Sequence, residues 1–106
     1  MQMTIIYGIK TCDTCRKALK SLEATLHDVR AEPLSVVQLQ RFQAEFGEAL
    51  VNKKSTTWRG LDDVERARDP IELLTDHPTL MKRPVIDLDG KLYLGWGKDV
   101  QAACGV

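Results

Sequence analysis

The chain has 106 residues, 43% hydrophobic and 28% charged, and its 15 Lys plus Arg balance its 15 Asp plus Glu. That length suits one domain around one core, and the balanced charge gives no general attraction to nucleic acid or anionic membrane. No apolar run approaches a membrane span, and the first residues show no basic region followed by an apolar stretch, so a cytoplasmic location is expected.

Residues 3–7 (Met-Thr-Ile-Ile-Tyr) form a short apolar strand of the kind covered on both faces, and Gly8 ends it. From Asp13 onward, Cys15, Ala18, Leu19 and Leu22 fall at i, i+3, i+4 and i+7, with Arg16, Lys17, Lys20 and Ser21 on the opposite face. This is one amphipathic helix. Thr25 to Val29 reads as a second strand, separated from the helix by Glu23 and Ala24 alone, a tight junction with no Gly to turn it. Ser35 caps a second helix with Gln38 three residues on, Leu39, Phe42 and Phe46 supply its buried stripe, and Gly47 stops it. Residues 51–60 have no period and read as an exposed polar loop. Leu61 to Arg68 reads as a short helix capped by Asp62. Asp69-Pro70-Ile71-Glu72 then restarts a helix that ends near His77-Pro78. In the last third, Val85–Leu88 and Lys91–Leu94 flank Asp89-Gly90 as a hairpin with a type I′ turn, and a short helix follows Gly97.

The chemistry concentrates at Thr11-Cys12-Asp13-Thr14-Cys15-Arg16-Lys17, where two thiols stand three residues apart at the head of the first helix. Unpaired N–H groups and the positive end of the helix dipole favour thiolate over thiol there, and the thiolate is the nucleophile. Cys12 precedes the apolar stripe and is read as that nucleophile. Cys15 lies on the stripe, so two roles stand open: a resolving cysteine that closes a disulfide, or a core residue. Zinc would want four ligands, and His27, His77 and Cys104 offer none at close spacing to the pair, so no metal is expected. His27 and His77 are assigned no catalytic role, Cys104 is read as incidental, and Trp58 and Trp96 as packing anchors.

The order β-α-β, helical insertion, β-β-α matches a thioredoxin-like α/β fold with a mixed sheet of about four strands. It is read as a single domain over residues 1–106, with the insertion at about 32–80. Pro84 begins the third strand, where thioredoxin folds carry a cis-proline beside the active cysteine, so a cis Arg83–Pro84 bond is expected. Arg83 would then lie beside Cys12 as an anion- or thiolate-stabilising group.

These residues resemble the ArsC/Spx family of arsenate-reductase-like proteins, in its YffB-like branch. The resemblance rests on Tyr7-Gly8-Ile9-Lys10-Thr11-Cys12-Asp13-Thr14-Cys15-Arg16-Lys17-Ala18 and on His27-Asp28-Val29-Arg30. It continues through Asn52-Lys53-Lys54-Ser55-Thr56-Thr57-Trp58-Arg59 and Lys82-Arg83-Pro84-Val85. It implies attack on an oxyanion by Cys12, with glutathione and glutaredoxin as reductants and no tightly bound cofactor. It also implies an oxyanion clamp of three arginines. Arg59 and Arg83 match two of them, whereas the third falls near Lys98, a point charge in place of a planar fork. Arg59 reads equally as a solvated loop residue, and Lys10 and Lys98 as anion contacts or surface lysines. Cys15 and the tight junction after the first helix also depart from the reductase pattern, since glutaredoxin-dependent members carry one cysteine here and Spx-like regulators carry two.

The expected activity is a small monomeric thiol oxidoreductase acting on an oxyanion or a mixed disulfide, with glutathione, glutaredoxin or Cys15 resolving the intermediate. The alternative is a redox-sensing regulator of the Spx type whose partner is RNA polymerase. Neither reading calls for direct nucleic-acid or membrane binding.

Overall fold

A computed structural model describes residues 3–106. Its elements in chain order are β1 (Thr4–Gly8), α1 (Asp13–Leu22), β2 (Thr25–Asp28), α2 (Val36–Phe46), α3 (Thr56–Arg59), α4 (Asp63–Arg66), α5 (Pro70–Asp76), β3 (Val85–Leu88), β4 (Lys91–Leu94) and α6 (Lys98–Ala103). Short 3-10 turns at Gly47–Leu50 and Pro78–Leu80 follow α2 and α5. The four strands form one mixed sheet in the order β2-β1-β3-β4. β1 runs parallel to β2 and antiparallel to β3, and β3 and β4 form the hairpin. This is the α/β, thioredoxin-like arrangement expected. Among the described residues no helix is long and apolar enough to cross a membrane.

The chain divides into two compact units, one taking in the chain up to Glu32 and from Arg83 onward, the other Pro33–Lys82. In the first unit the register aligns Leu26, Ile6, Ile86 and Tyr93 in one row across all four strands. Ile6 and Ile86 from this row are fully buried with Ala18 of α1 and Val100 of α6, and Leu19, Leu22, Leu88, Trp96 and Cys104 close the edges of the cluster. Trp96 and Cys104 are therefore packing residues. In the second unit Leu39, Phe42, Leu50, Leu73, Leu74, Leu80 and Met81 are buried. Its middle is tied to its last residues by a Val51–Met81 bridge, with Asn52 N–H donating to Leu80 O and Lys82 N–H to Leu50 O, both at 2.8 Å.

Caps fall where the side chains predict them. Ser35, Asp62 and Asp69 accept from the N–H groups of Gln38, Glu65 and Ile71. Asp89 and Gly90 both have positive φ, 53° and 95°, as a type I′ turn requires. Two readings need correction. Residues 51–60 are not a featureless loop, because Thr56–Arg59 forms a helical turn capped by Ser55, whose hydroxyl accepts from Trp58 N–H at 3.1 Å and donates to Asn52 O at 2.8 Å. These bonds are local and polar, so hydrophobic period does not reveal them. The helix read over 61–68 is confined to Asp63–Arg66, and Arg66 there turns its guanidinium back onto the Trp58 carbonyl.

The tight α1–β2 junction is solved without glycine. Glu23 takes the left-handed conformation (φ 51°, ψ 43°), with Ala24 N–H donating to Leu19 O at 3.2 Å and Glu23 N–H to Lys20 O at 3.4 Å. That pair of bonds is a Schellman motif, in which a side chain at the positive-φ position carries a steric cost. Glu23→Gly is expected to stabilise the fold by about 0.5–1 kcal/mol, read from the denaturant midpoint at unchanged slope. Gly8 is the opposite case. A Cβ built there would collide with Sγ of Cys15 and lie 3.2 Å from its Cβ. Gly8→Ala should therefore destabilise by about 1–3 kcal/mol in the same measurement, and a neutral result would mean that α1 can shift on the sheet.

Candidate active site

β1 ends at Gly8 and the chain turns through Ile9, Lys10 and Thr11 into Cys12, the N-cap of α1. The turn is closed by Cys12 N–H donating to Ile9 O at 3.0 Å, and the Cys12 carbonyl accepts the first helical bond from Arg16 N–H, also at 3.0 Å. No side chain caps α1. The Cys15 and Thr14 N–H groups and the Cys15 thiol nonetheless act on the Cys12 sulfur, each favouring its thiolate.

Cys12 is partly exposed and Cys15 is buried, and both are free thiols. Burial opposes ionisation of Cys12. The N–H and thiol of Cys15, the positive charge of Arg83 and the Thr14 N–H together outweigh it and hold the Cys12 thiol below its ordinary range. Cys15 goes the other way. Burial pushes it up to about 11, only partly offset by the Ile9 N–H, and the neighbouring Cys12 raises it further. The two sulfurs thus share a proton unequally, Cys12 as acceptor and Cys15 as donor.

Arg83 is half-buried and precedes buried Pro84, and the bond between them is cis, as expected. Pro84 is anchored through its carbonyl, which accepts from Gly95 N–H at 2.8 Å. In the first unit Cys12 and Cys15 thus lie within reach of the Arg83 charge, Pro84 follows Arg83 in the chain, and Lys10 is on the turn that delivers Cys12. The Lys10 side chain is exposed, and Lys98 is an exposed residue in the first turn of α6. Arg59 stands on the second unit, exposed at the end of α3, its carbonyl accepting from Arg66 Nη2 at 3.3 Å. Among the described residues no three His, Cys, Asp or Glu side chains cluster to hold a metal.

Two participants were not picked out as site residues by sequence reasoning. Gly8 provides the space that Cys15 fills. Asp28, at the end of β2, accepts from Lys10 N–H at 2.9 Å and so grips the turn before Cys12. An Asp closing a strand, able to take the N–H groups two and three residues on, was the available signal.

The ArsC family model matches residues 7–104. The chain belongs to the ArsC family. It is 34% identical to the YFFB protein of known structure, with a TM-score of 0.86 over 98% of this chain and all of that one. It is 36% identical to an arsenate reductase (ArsC) related protein from Brucella melitensis, with a TM-score of 0.73 over 98% of this chain and 96% of that one. The global transcriptional regulator Spx of Bacillus subtilis is 28% identical over 92% of this chain and 82% of that protein. This ArsC-family chain thus has both a reductase-related neighbour and regulator relatives.

Alkylation of the native protein at pH 7 should label Cys12 far ahead of Cys15. Replacing Arg83 by Gln removes a charge that favours the thiolate, so the midpoint of the alkylation pH profile should rise by about half a unit. An unmoved midpoint would remove Arg83 from the site.

Proposed function

We propose that this ArsC-family protein is a cytoplasmic, monomeric thiol oxidoreductase in which Cys12 is the attacking nucleophile. The observation that carries this reading is the pairing of a partly exposed Cys12, held below the ordinary thiol range, with a buried Cys15 that stays protonated. On a mixed disulfide, the Cys12 thiolate attacks one sulfur, a new disulfide forms to Cys12, and the other sulfur leaves as a thiolate whose charge Arg83 stabilises. Glutathione, free or with glutaredoxin, then attacks that bond, leaves as the oxidised disulfide and restores the Cys12 thiolate. On an arsenate-like oxyanion, the Cys12 thiolate displaces one protonated oxygen as water. Glutathione then attacks the Cys12 sulfur, and the S–As bond breaks with its electron pair passing to arsenic, which leaves as arsenite. A second glutathione frees Cys12 from the mixed disulfide as the oxidised disulfide. Lys10 and Lys98 are the candidate further contacts for such an anion.

Cys15 is the internal alternative to glutathione as resolving group. Its raised pKa makes it a slow one at neutral pH while Cys12 is a thiolate. The similarity to Spx favours a second reading, a redox-sensing regulator in which a Cys12–Cys15 disulfide changes a surface that binds RNA polymerase.

Turnover of a glutathionylated peptide and of arsenate with glutathione as reductant tests the enzyme reading. Cys12→Ser should abolish turnover, and Cys15→Ser should keep it within about tenfold when glutathione is abundant. Turnover that survives Cys12→Ser sinks the mechanism. No turnover at all, with capture of purified RNA polymerase by only the oxidised or only the reduced form, makes the regulator reading the correct one.

A further inference from the structure

Asp28 is the last residue of β2, paired with Gly8 in the parallel register, and both its carboxylate oxygens are engaged by backbone. Oδ2 accepts from Lys10 N–H at 2.9 Å, while Oδ1 accepts from Arg30 N–H at 2.8 Å and Ala31 N–H at 3.2 Å. The Lys10 bond reaches into the turn closed by Cys12 N–H on Ile9 O, and the other two fix the bend that leaves β2. Two further bonds tie the same segments: Val29 N–H donates to Gly8 O at 2.9 Å, and Arg30 Nη2 donates to Thr11 Oγ1 at 3.4 Å. One carboxylate therefore joins the exit of β2 to the turn that delivers Cys12, two residues before the sulfur. The Lys10 N–H acts most strongly on the Asp28 carboxyl, and burial, next in size, opposes it. The N–H groups of Arg30 and Ala31 with the Arg30 charge tip the balance, holding the carboxyl below the usual carboxylate range, so the clamp is ionised at neutral pH.

We propose that Asp28 is a positioning residue for the Cys12 nucleophile: its carboxylate pins the Ile9–Cys12 turn and thereby keeps the Cys12 sulfur aimed at the N–H groups of the first turn of α1. This assignment rests on the reading of Cys12 as the reactive thiol. The ionisable groups that act on Cys12 are Cys15 from α1 and Arg83 ahead of β3. Asp28 acts through the backbone of Lys10. The two ways in which a carboxylate could influence Cys12 have opposite signs. A charge acting through space opposes the thiolate, so removing it would lower the alkylation midpoint. A clamp that keeps donors on the sulfur favours the thiolate, so breaking it raises the midpoint.

The test is the pH profile of iodoacetamide alkylation, with the labelled sulfur located by fragment mass spectrometry, in the native chain, Asp28→Asn and Asp28→Ala. Asn keeps the shape but turns an NH2 group toward an N–H, and Ala removes both acceptors. Both variants are expected to raise the Cys12 midpoint by about half to one pH unit, with Cys104 labelled at its native rate. Cys104 is the internal control, since it packs in the core with Val100 of α6 and reports general loosening. A lowered or unmoved midpoint in the variants, beside a low native one, overturns the role of Asp28 and leaves the reading of Cys12 intact. A rise accompanied by faster Cys104 labelling overturns the role as well, because the fold as a whole has loosened. A native midpoint at or above about 8.5 overturns the reading of Cys12, and the positioning role falls with it.

Discussion

The head of α1 is seated on the end of β1 by a contact that only glycine permits, the sulfur of Cys15 occupying space next to Gly8 that a side chain would fill. Much of the site follows from that approach. It buries Cys15 and Ala18 toward the sheet, so the helix axis starts close to the strand end and its N-terminal N–H groups converge where the chain turns. Cys12, one turn earlier on the same face, is left at the mouth of that convergence. A bulkier residue at position 8 would push the helix off the strand, and the reactive sulfur would move with it. Packing and chemistry here are one constraint.

The two thiols show how strongly local environment decides chemistry at nearly identical addresses. They are three residues apart on one helix, each near the same Arg83 charge. What separates them is solvation and the direction of donation. Cys12 accepts N–H bonds that its thiolate can exploit, whereas burial dominates Cys15 and its proton is kept for Cys12. In this motif of two cysteines the surroundings favour a thiolate at Cys12 and a protonated thiol at Cys15.

Much of this was legible in the sequence because it is written in local chemistry. The apolar run of β1, the stripe of α1, the caps at Ser35, Asp62 and Asp69 and the Asp89-Gly90 turn each depend on residues within a few positions of one another. Pro84 as a cis residue was legible through fold resemblance. The Schellman turn at Glu23 was not, because a side chain at positive φ is tolerated only where the strand it feeds must begin at once. Thr56–Arg59 was missed because Ser55 and Asn52 build that turn with polar bonds instead of apolar spacing. Asp28 was quoted for its place in a motif and not for its work. That work requires the parallel pairing of β1 with β2, which brings Lys10 within reach across 18 positions of sequence.

The same electrostatics bear on how the catalytic cycle in the proposed function would close. Cys15 is kept protonated mainly by burial, but also by its hydrogen bond to Cys12 and by the negative charge that Cys12 carries. Once Cys12 enters a mixed disulfide, that charge is gone and the sulfur is a poorer acceptor, while Arg83 and the Ile9 N–H still favour a Cys15 thiolate. The resting protein therefore suppresses its second thiol, and the covalent intermediate releases part of that suppression. Burial remains, so the release is incomplete. Attack by Cys15 on the Cys12 disulfide is then slower than attack by an abundant external thiol, and it gains ground where glutathione is scarce. An internal disulfide would be the outcome of starvation for reductant. That is the condition in which a redox-sensing surface has something to report, so the reductase and regulator readings of this fold draw on one pair of sulfurs at different supplies of thiol.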